Sequence, residues 1–314
     1  MRRSRETAGV RDTPGPPVRY TSRDEDSARW SGFSFRAGDI VISTRSKSGT
    51  TWMQAICALL VFGTPTLSAP IAELSPWLDF LVTPLGEVVG RLEAQTHRRF
   101  IKTHTPLDGL PLDPRATYIV VARHPLDAAV SLYHQGDNLD RDLMRRLRGQ
   151  PDPAVAPQPR LELRDWLLRW IDSDASPAED LDSVRGFMWH LSDAWSRRDT
   201  DNVVLIHYDD LLADLGGQMR ALAAVLNITI PAQAWAGLVE AATFEHMRSH
   251  PDDYLPTSGG IHKDSAAFFR RGRSGAAGEV LTATEQDRYY LRAAELAPPD
   301  LLAWLHRPVS PQMR

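Results

Sequence analysis

The sequence predicts an α/β fold in which a central parallel sheet is flanked by helices. Residues 40–42, 100–101 and 118–121 form short apolar runs without polar interruptions, which is typical of parallel strands that are covered on both faces. Stretches of helical periodicity follow these runs, as in β-α-β units. The first run also continues through a polar turn directly into a helix, so this turn is expected at the carboxyl edge of the sheet, where open α/β sheets bind ligands.

The individual elements follow from the same patterns. Strands are predicted at 39–44, 99–102, 117–122 and 202–207. Helices are predicted at 50–62, 126–136, 161–171, 183–198, 209–226 and 284–296. Pro125 begins the second helix, where its missing N–H removes no intrahelical hydrogen bond.

Composition narrows the class of protein. The chain has 314 residues, 42% of them hydrophobic and 24% charged, as in ordinary globular proteins. A net charge of −4 gives no general attraction to nucleic acids or anionic membranes, so we expect neither as a partner. Cys57 is the single cysteine, which excludes an intrachain disulfide. The sequence has no membrane-length apolar run and no apolar signal-peptide core, and we expect a cytoplasmic protein.

Three segments lack helix or strand patterns. Residues 1–25 are polar and are predicted to form a loose arm before one domain at 26–314. The Pro-rich residues 148–160 are expected to be a surface loop. Residues 251–280 form a long segment rich in Gly, Ser, Asp and Arg, and such segments are usually functional or mobile.

The turn at 44–49 has the composition of an anion site. It precedes a helix whose N-terminus presents backbone N–H groups, Lys47 adds a positive charge, and Gly49 permits close approach of a ligand. The usual nucleotide loop places its Lys after the second Gly, whereas here Lys47 precedes the only Gly and Thr44 stands at the other glycine position. The pattern therefore indicates a phosphate or sulfate ester, bound by a turn that is not a standard NTPase loop.

The segment T-R-S-K-S-G-T-T-W resembles the T-x-P-K-S-G-T-T-W motif of sulfotransferases that use 3′-phosphoadenosine 5′-phosphosulfate (PAPS) and release the bisphosphate PAP. Ser46 replaces the proline of the family. The resemblance implies a sulfotransferase domain with a P-loop-like turn that binds the 5′-phosphosulfate. The implied contacts are Arg45, Ser46, Lys47, Ser48, Gly49, Thr50, Thr51 and Trp52.

Arg123 and Ser131 form a second candidate site. Arg123 ends an apolar strand, and Arg suits phosphate because its planar fork donates paired hydrogen bonds. By itself such an Arg also fits a structural ion pair. The eight-residue spacing is similar to that of the family motif whose Arg and Ser bind the 3′-phosphate, so the resemblance implies that role here.

The segment 268–275 is rich in Arg and Gly, which fits either an anion clamp or a solvated basic loop. Its Arg270, Arg271 and Gly272 resemble the R-K-G of the family's R-K-G-x-x-G segment, which closes over the 3′-phosphate. The family continues with Asp-Trp, whereas this chain has Ala276 and Ala277.

Three aromatic residues are candidates for the adenine pocket. By resemblance they are Trp52, Tyr208 and Phe244, although each would also fit an ordinary core. Ala242 and Thr243 replace the Thr-Ser that often precedes the last of these aromatics.

His104 is the candidate general base. It follows an apolar strand in K-T-H-x-P, which resembles the family's catalytic motif, and a histidine titrates near neutral pH. The resemblance implies that Lys102 stabilises charge near the sulfo group and that Lys47 stabilises the bridging oxygen of the leaving group. Ser131 is implied to hold Lys47 away from the ester until an acceptor arrives.

The apolar, aromatic segment 75–84 suits the wall of an acceptor pocket or an ordinary core equally well. Trp77, Phe80 and Leu81 are its candidate contacts, and a phenol, a steroid-like alcohol or a glycolipid would each be compatible.

No metal is expected. His246 and His250 are spaced to share a helix face, but no H-E-x-x-H pattern or Cys cluster accompanies them. Nor is the family's usual dimer expected, because Gly278 and Ala283 replace the Lys and Val of its dimer motif; the oligomeric state stays open.

Two alternatives remain at this stage. A small-molecule kinase would need ATP, Mg²⁺ and a carboxylate to hold the metal, and the sequence shows no strand-terminal Asp with a Walker-type loop. A non-catalytic adenine-nucleotide-binding protein of the same fold would bind the ligand without using His104.

Overall fold

The structure is a computed structural model, and it describes residues 15–151, 159–255 and 260–308. Four strands form one parallel sheet: β1 (Ile40–Ser43), β2 (Phe100–Thr103), β3 (Thr117–Ala122) and β4 (Val203–His207). Their spatial order is β2-β1-β3-β4, so the chain crosses to the other side of β1 after β2. The crevice between β1 and β3 is therefore the topological switch point, where open α/β sheets bind ligands.

Helices cover both faces of the sheet. They are α1 (Thr50–Phe62), α2 (Ile71–Leu74), α3 (Leu85–Ala94), α4 (Pro125–Asn138), α5 (Arg141–Leu147), α6 (Leu163–Asp172), α7 (Val184–Ser196), α8 (Tyr208–Ala213), α9 (Leu215–Val225), α10 (Trp235–Ala241), α11 (Phe244–Ser249), α12 (Pro251–Tyr254), α13 (Ser265–Phe268), α14 (Ala283–Leu296) and α15 (Pro299–Leu305). Short 3₁₀ turns occur at Ser27–Trp30, Leu107–Gly109, Ala232–Ala234 and Ala276–Glu279.

The core is divided by the sheet because successive strand residues point to opposite faces. Val41 and Val120 pack with residues of α4, α6, α7 and α14 on one face. Ile42 and Val121 pack with residues of α1, α9 and α10 on the other. These four strand side chains are fully buried, which explains why the strands appear as unbroken apolar runs.

The predicted α/β fold with a central parallel sheet is confirmed, and the bounds of α1 and β3 coincide with the prediction. The predicted helix at 209–226 differs, because it divides at Asp214. The backbone of Asp214 leaves the helical region, and its carboxylate accepts a hydrogen bond from the Gly217 N–H at 2.8 Å, which caps α9. Among the described residues, eight helices were not predicted: α2, α3, α5, α10, α11, α12, α13 and α15.

Residues 15–25 differ from the loose arm that their polarity suggested. Tyr20 is 3% exposed, and its hydroxyl group lies 2.8 Å from an oxygen of Asp108 and accepts a hydrogen bond from Trp189 Nε1. The Thr21 N–H donates to the carbonyl of Ala178 at 2.9 Å. One large aromatic side chain and a few backbone hydrogen bonds thus anchor a segment of polar composition. Residues 1–14 of the proposed arm lie outside the described residues, and the domain boundary stays a prediction.

The structure also describes parts of the two other segments without predicted helices or strands, 148–160 and 251–280. Within 251–280, the structure forms α12, α13 and a 3₁₀ turn, with residues 256–259 outside the description. In the Pro-rich segment, residues 152–158 are outside it as well. Over the described ranges, none of the helices has the length and apolarity needed to cross a membrane.

Candidate active site

A cavity of about 430 Å³ opens at the carboxyl ends of β1, β2 and β3. Its volume lies within the range of small-molecule sites. Most of the side chains predicted to bind a ligand line it, although they come from distant parts of the chain. These are Ser46, Lys47, Gly49, Thr50, Thr51, Trp52, Trp77, Phe80, Lys102, His104, Arg123, Ser131, Tyr208, Phe244, Arg270, Arg271 and Gly272.

The turn between β1 and α1 has the backbone of a close-approach site. Gly49 occupies the N-cap of α1 at φ 102°, and Lys47 also has a positive φ of 64°. A Cβ atom at Gly49 would lie 3.0 Å from the ring of Tyr208. The hydroxyl groups of Thr44 and Thr50 are hydrogen-bonded to each other across the turn. Glycine therefore meets both a conformational and a steric need here, and Thr50 and Thr51 at the N-terminus of α1 line the cavity.

Lys47 lies in this turn with its ammonium group 4.2 Å from the centroid of the Phe268 ring. Burial, together with the positive charges of Arg123, Lys102 and Arg270, lowers the pKa of Lys47 to about 7. A lysine crowded by other cations is stabilised when an anion enters, so its environment favours an anionic ligand.

Arg123 links the first and last parts of the site. Its guanidinium group donates to the carbonyls of Lys47 at 3.1 Å and Arg273 at 2.9 Å, and it lies 4.5 Å from the centroid of the Tyr208 ring. Its Nε is buried without a hydrogen-bond partner in the described parts of the chain. Within those parts no carboxylate pairs with Arg123, so the structural ion pair considered above is not observed.

Arg270 and Arg271 approach the cavity from the C-terminal loop. Burial lowers the pKa of Arg270, and the charges of Arg271 and Arg123 lower it further, whereas Arg271 pairs with Glu279 at 2.6 Å. Gly272 has φ 61°, and a Cβ atom there would lie 2.5 Å from the ring of Phe244. The clamp segment therefore packs directly on a predicted adenine contact.

The far end of this loop is fixed in spite of the missing Asp-Trp pair. The amides of Gly275 and Ala277 donate to the two carboxylate oxygens of Asp127 at 2.8 and 3.2 Å, and Ala276 and Ala277 are buried. Asp127 lies on α4, and its carboxylate thus anchors the loop to the body of the domain.

The three predicted adenine aromatics come together at one end of the cavity. The rings of Trp52 and Tyr208 meet edge to face with centroids 5.3 Å apart, and the Trp52 Nε1 donates to the carbonyl of Ala242 at 2.7 Å. Phe244 completes the group beside Gly272. Flat apolar surfaces of this kind are suited to a nucleobase.

His104 lies at the end of β2 with its ring edge against Trp77, at a centroid distance of 4.8 Å. Its Nδ1 is hydrogen-bonded to the carbonyl of Thr44. A carbonyl oxygen can only accept, so Nδ1 carries the proton and Nε2 keeps its lone pair. Burial holds the pKa of His104 well below 6.5, and the charges of Lys102 and Arg45 reinforce this shift. The imidazole is therefore neutral at pH 7 in the tautomer that a base acting through Nε2 requires.

Lys102 lies two residues before His104, and its ammonium group is 3.5 Å from the centroid of the Trp77 ring. Burial lowers the pKa of Lys102 to about 7, although the carboxyl groups of Glu25 and Asp79 oppose that shift. Two lysines from adjacent strands thus approach the cavity with weakened hydration, as a site for a highly charged anion would require.

Three predicted contacts are not part of the cavity lining. Arg45 is 3% exposed and points into the body, where it donates to the carbonyl of His104 at 2.7 Å and pairs with Asp182 at 2.5 Å. Ser48 is buried within the turn, and Leu81 is half-buried and does not line the cavity. In a tight turn, neighbouring side chains point in different directions, so the geometry does not favour ligand contacts by these side chains.

The structure also places residues in the cavity that the sequence did not single out. Glu25 comes from the supposed arm, whereas His262 and Phe268 come from the C-terminal loop. The pKa of His262 falls to about 4 through burial and the nearby charges of Lys47 and Lys102. No local motif marks these positions, and only packing brings them to the site.

His246 and His250 stack on each other with centroids 4.4 Å apart. Over the residues that the structure describes, no group of three or more His, Cys, Asp or Glu side chains is arranged to hold a metal ion.

The fold and the cavity define an α/β protein with a positively charged ligand-binding site at the switch point of its sheet. The sulfotransferase domain family matches residues 37–290, and the chain belongs to this family of transferases. The predicted resemblance is therefore confirmed. Membership does not favour the kinase or the non-catalytic alternative.

Several sulfotransferases are similar to this protein over nearly the whole chain. A glycolipid sulfotransferase of Mycobacterium bovis is 43% identical over 307 residues, covering 92% of this chain and 94% of the relative. A glycolipid sulfotransferase of Mycobacterium tuberculosis is 43% identical over 308 residues, with the same shares. The bovine sulfotransferase 1A1 is 25% identical over 297 residues, covering 89% of this chain and 92% of its own.

Solved structures support the fold. A retinol dehydratase in complex with androsterone and PAP has a TM-score of 0.62 at 19% identity, covering 87% of this chain and 86% of its own. A mouse sulfotransferase complexed with PAP has a TM-score of 0.62 at 19% identity, with 86% and 88% covered.

Proposed function

We propose that this protein transfers the sulfo group of PAPS to a hydroxyl group of an amphipathic acceptor, with His104 as the general base. The observation that carries the proposal is the position of His104 in one cavity with Lys47 and Lys102. A neutral imidazole and two cations are the groups that such a transfer needs, because a proton must leave the acceptor and negative charge must be stabilised on the donor.

The donor half of the cavity fits a nucleotide with phosphate groups at both ends. The turn at Lys47–Gly49 would hold the 5′-phosphosulfate, and Arg123, Ser131 and Arg270 would hold the 3′-phosphate. Trp52, Tyr208 and Phe244 would enclose the adenine. Two observations support this assignment: the Nε of Arg123 has no hydrogen-bond partner among the described residues, and Lys47 is crowded by other cations. Both groups would gain from a phosphate oxygen.

In the proposed reaction, His104 Nε2 accepts the proton of the acceptor hydroxyl as its oxygen forms a bond to sulfur. The bond between sulfur and the bridging oxygen breaks, and both electrons of that bond leave with the PAP phosphate. Lys47 stabilises the charge on the leaving oxygen, and Lys102 stabilises the sulfo oxygens. Because cations lower the pKa of His104 in the free protein, the anionic donor would raise it and strengthen the base when it binds.

The acceptor half is apolar and lies beyond Lys102. Phe80, Met144 and Ile261 form a small buried cluster, against which Trp77 and Leu139 pack. This wall fits the hydrocarbon part of a lipid-like alcohol. The names of the mycobacterial relatives, which are glycolipid sulfotransferases, support an acceptor of this kind.

The test is transfer of ³⁵S-sulfate from labelled PAPS to a panel of phenols, long-chain alcohols and glycolipids, together with calorimetric binding of PAP. We expect micromolar or tighter PAP binding and label in a lipid-soluble product, without a requirement for ATP or added metal. Failure to bind PAP, or phosphoryl transfer from ATP and Mg²⁺ in its place, would refute the proposal.

A further inference from the structure

Glu25 places a carboxyl group in the acceptor half of the cavity. The family motifs assign no role to this residue. It lines the cavity together with Lys102 and His104, although it lies about 80 positions from them in the sequence. Its own segment is the one that the sequence predicted to be a loose arm. A carboxyl group beside the proposed base and a sulfo-stabilising lysine has direct access to any acceptor that reaches them.

The backbone around Glu25 is held firmly. Glu25 forms an antiparallel bridge with Phe80, and its N–H donates to the Ser22 hydroxyl at 3.1 Å. On either side, the Asp26 N–H donates to the carbonyl of Asp79 and the Leu81 N–H donates to the carbonyl of Asp24, each at 2.9 Å. The backbone of Glu25 is therefore held beside Phe80 of the apolar wall, and the residue lines the cavity together with Lys102 and His104.

The carboxyl group itself is not used by the fold. In the described ranges, no side chain or amide donates a hydrogen bond to it and no cation forms a direct ion pair with it, although the charges of Arg45 and Lys102 act on it from further away. Asp24 differs, because it holds Arg141 and Arg148 in ion pairs. The Glu25 side chain is partly buried and lines the cavity without a hydrogen-bond partner among the described residues, so a ligand in the cavity is its available partner.

Its protonation state suits a neutral polar ligand. Burial and the nearby carboxyl group of Asp79 raise the pKa of Glu25 to about 8, against the opposing charges of Arg45 and Lys102. At neutral pH the group is then a carboxylic acid, which can both donate and accept a hydrogen bond. A hydroxyl group has the same two capacities and is a matched partner.

We propose that Glu25 selects the acceptor by hydrogen-bonding a second hydroxyl group, next to the one that His104 deprotonates. The proposal rests on the sulfotransferase function above and gives it a substrate class. That class is polyhydroxylated head groups on an apolar chain, such as a lipid-linked sugar, in preference to alcohols with a single hydroxyl. The apolar wall would take the chain, and Glu25 would orient the head group.

The test compares two acceptors with the same chain, octyl glucoside and 1-octanol, using labelled PAPS. For wild-type protein we expect kcat/KM to be at least about tenfold higher with the glucoside, because its additional hydroxyl groups can form a hydrogen bond with the Glu25 carboxyl group that 1-octanol cannot form. The Glu25→Leu variant should lose that advantage while keeping its activity with 1-octanol. Glu25→Gln, which retains a donor and an acceptor, should keep most of the preference.

Two controls separate this proposal from the proposed function. Glu87→Gln alters an exposed carboxyl group on α3, and kcat/KM should stay unchanged with both acceptors. PAP affinity should be unchanged in all variants, since Glu25 lies in the acceptor half. A wild-type protein that sulfates 1-octanol as well as the glucoside, or a Glu25→Leu variant that loses both activities equally, would overturn the selective role while leaving sulfation intact. Absence of PAP binding and of transfer to every acceptor would instead refute the proposed function, and with it the role of Glu25.

Discussion

The Nδ1–H group of His104 donates a hydrogen bond to the carbonyl oxygen of Thr44. Thr44 is the first residue of the anion turn after β1, and His104 is the first residue after β2. Because β1 and β2 are adjacent and parallel, with Ser43 opposite Thr103, the two strand ends meet at the same edge of the sheet. One hydrogen bond thus sets the tautomer of the proposed base and fixes its ring against the turn that would hold the donor.

Replacement of His104 by Ala tests its role as the base. We expect the sulfation rate to fall by about 100-fold or more, because general-base catalysis typically contributes a factor of this size. PAP affinity should change by less than about threefold. Calorimetry and a single-turnover assay with labelled PAPS measure the two effects separately. His250→Ala, an exposed histidine outside the cavity, is the matched control. An unchanged transfer rate in His104→Ala would exclude His104 as the base.

Replacement of Arg123 by Ala tests the 3′-phosphate assignment. We expect PAP affinity to fall by about 10- to 100-fold, as for loss of a charge-assisted contact, whereas affinity for AMP, which lacks the 3′-phosphate, should change little. Equilibrium dialysis with both nucleotides gives this comparison. Arg115→Ala, at an exposed arginine, is the control. Equal losses for PAP and AMP would indicate that Arg123 supports the turn through the Lys47 carbonyl and does not read the 3′-phosphate.

PAP affinity should depend on pH above neutrality. Lys47 and Lys102 both have a pKa of about 7 in the free protein because burial disfavours their charged forms. The phosphates of PAP prefer the ammonium forms, so binding raises these pKa values and takes up protons as the pH rises above 7. Between pH 7 and 9 the affinity should fall, by up to about tenfold per pH unit for each lysine that must gain a proton.

Calorimetry at pH 8 in buffers of different ionisation enthalpy measures this proton uptake directly. Lys47→Met should reduce the number of protons taken up as well as the affinity. An affinity that stays constant from pH 7 to pH 9 would show that both lysines are already charged in the free protein.

Gly272→Ala should weaken PAP binding by about tenfold or more. A Cβ atom at this position would come within 2.5 Å of the Phe244 ring, so either the clamp or the adenine wall must move. Gly275→Ala is a matched control in the same loop, because Gly275 also has a positive φ but no atom within 4 Å of the added carbon. The two variants share the backbone strain and differ in the collision. Equal effects on PAP affinity would attribute the loss to strain alone.

Tyr20→Ala should destabilise the protein by about 3 kcal/mol, because it removes a buried aromatic ring together with its hydrogen bonds to Asp108 and Trp189. Tyr20→Phe keeps the ring and should cost about 1 kcal/mol. Chemical denaturation measures both values. A Tyr20→Ala variant as stable as the wild type would restore the view of this segment as a loose arm.

Much of the site could be predicted because its residues lie in continuous motifs. The order Lys47-Ser48-Gly49 after an apolar strand indicates an anion turn, since a helix N-terminus and a lysine attract negative charge whatever the rest of the chain does. Arg123 and His104 lie near the ends of apolar strands, but their roles were implied by the resemblance of their segments to the family motifs.

Other features depend on contacts between distant segments. The sequence placed Arg45 among the ligand contacts, but its direction is set by the carbonyl of His104 and the carboxylate of Asp182. Asp127 replaces a missing loop anchor from a helix about 150 positions away, which no local pattern announces.

By itself, then, the sequence determined the α/β class, the strands and the chemical character of the donor site, because these follow from local periodicity and short motifs. Only the tertiary structure decided which side chains face the cavity, which nitrogen of His104 bears the proton, and that Glu25 reaches the acceptor half. Those properties arise from packing and from hydrogen bonds between residues far apart in the chain, and the physical reason is that direction, burial and electrostatic environment are set by neighbours in space.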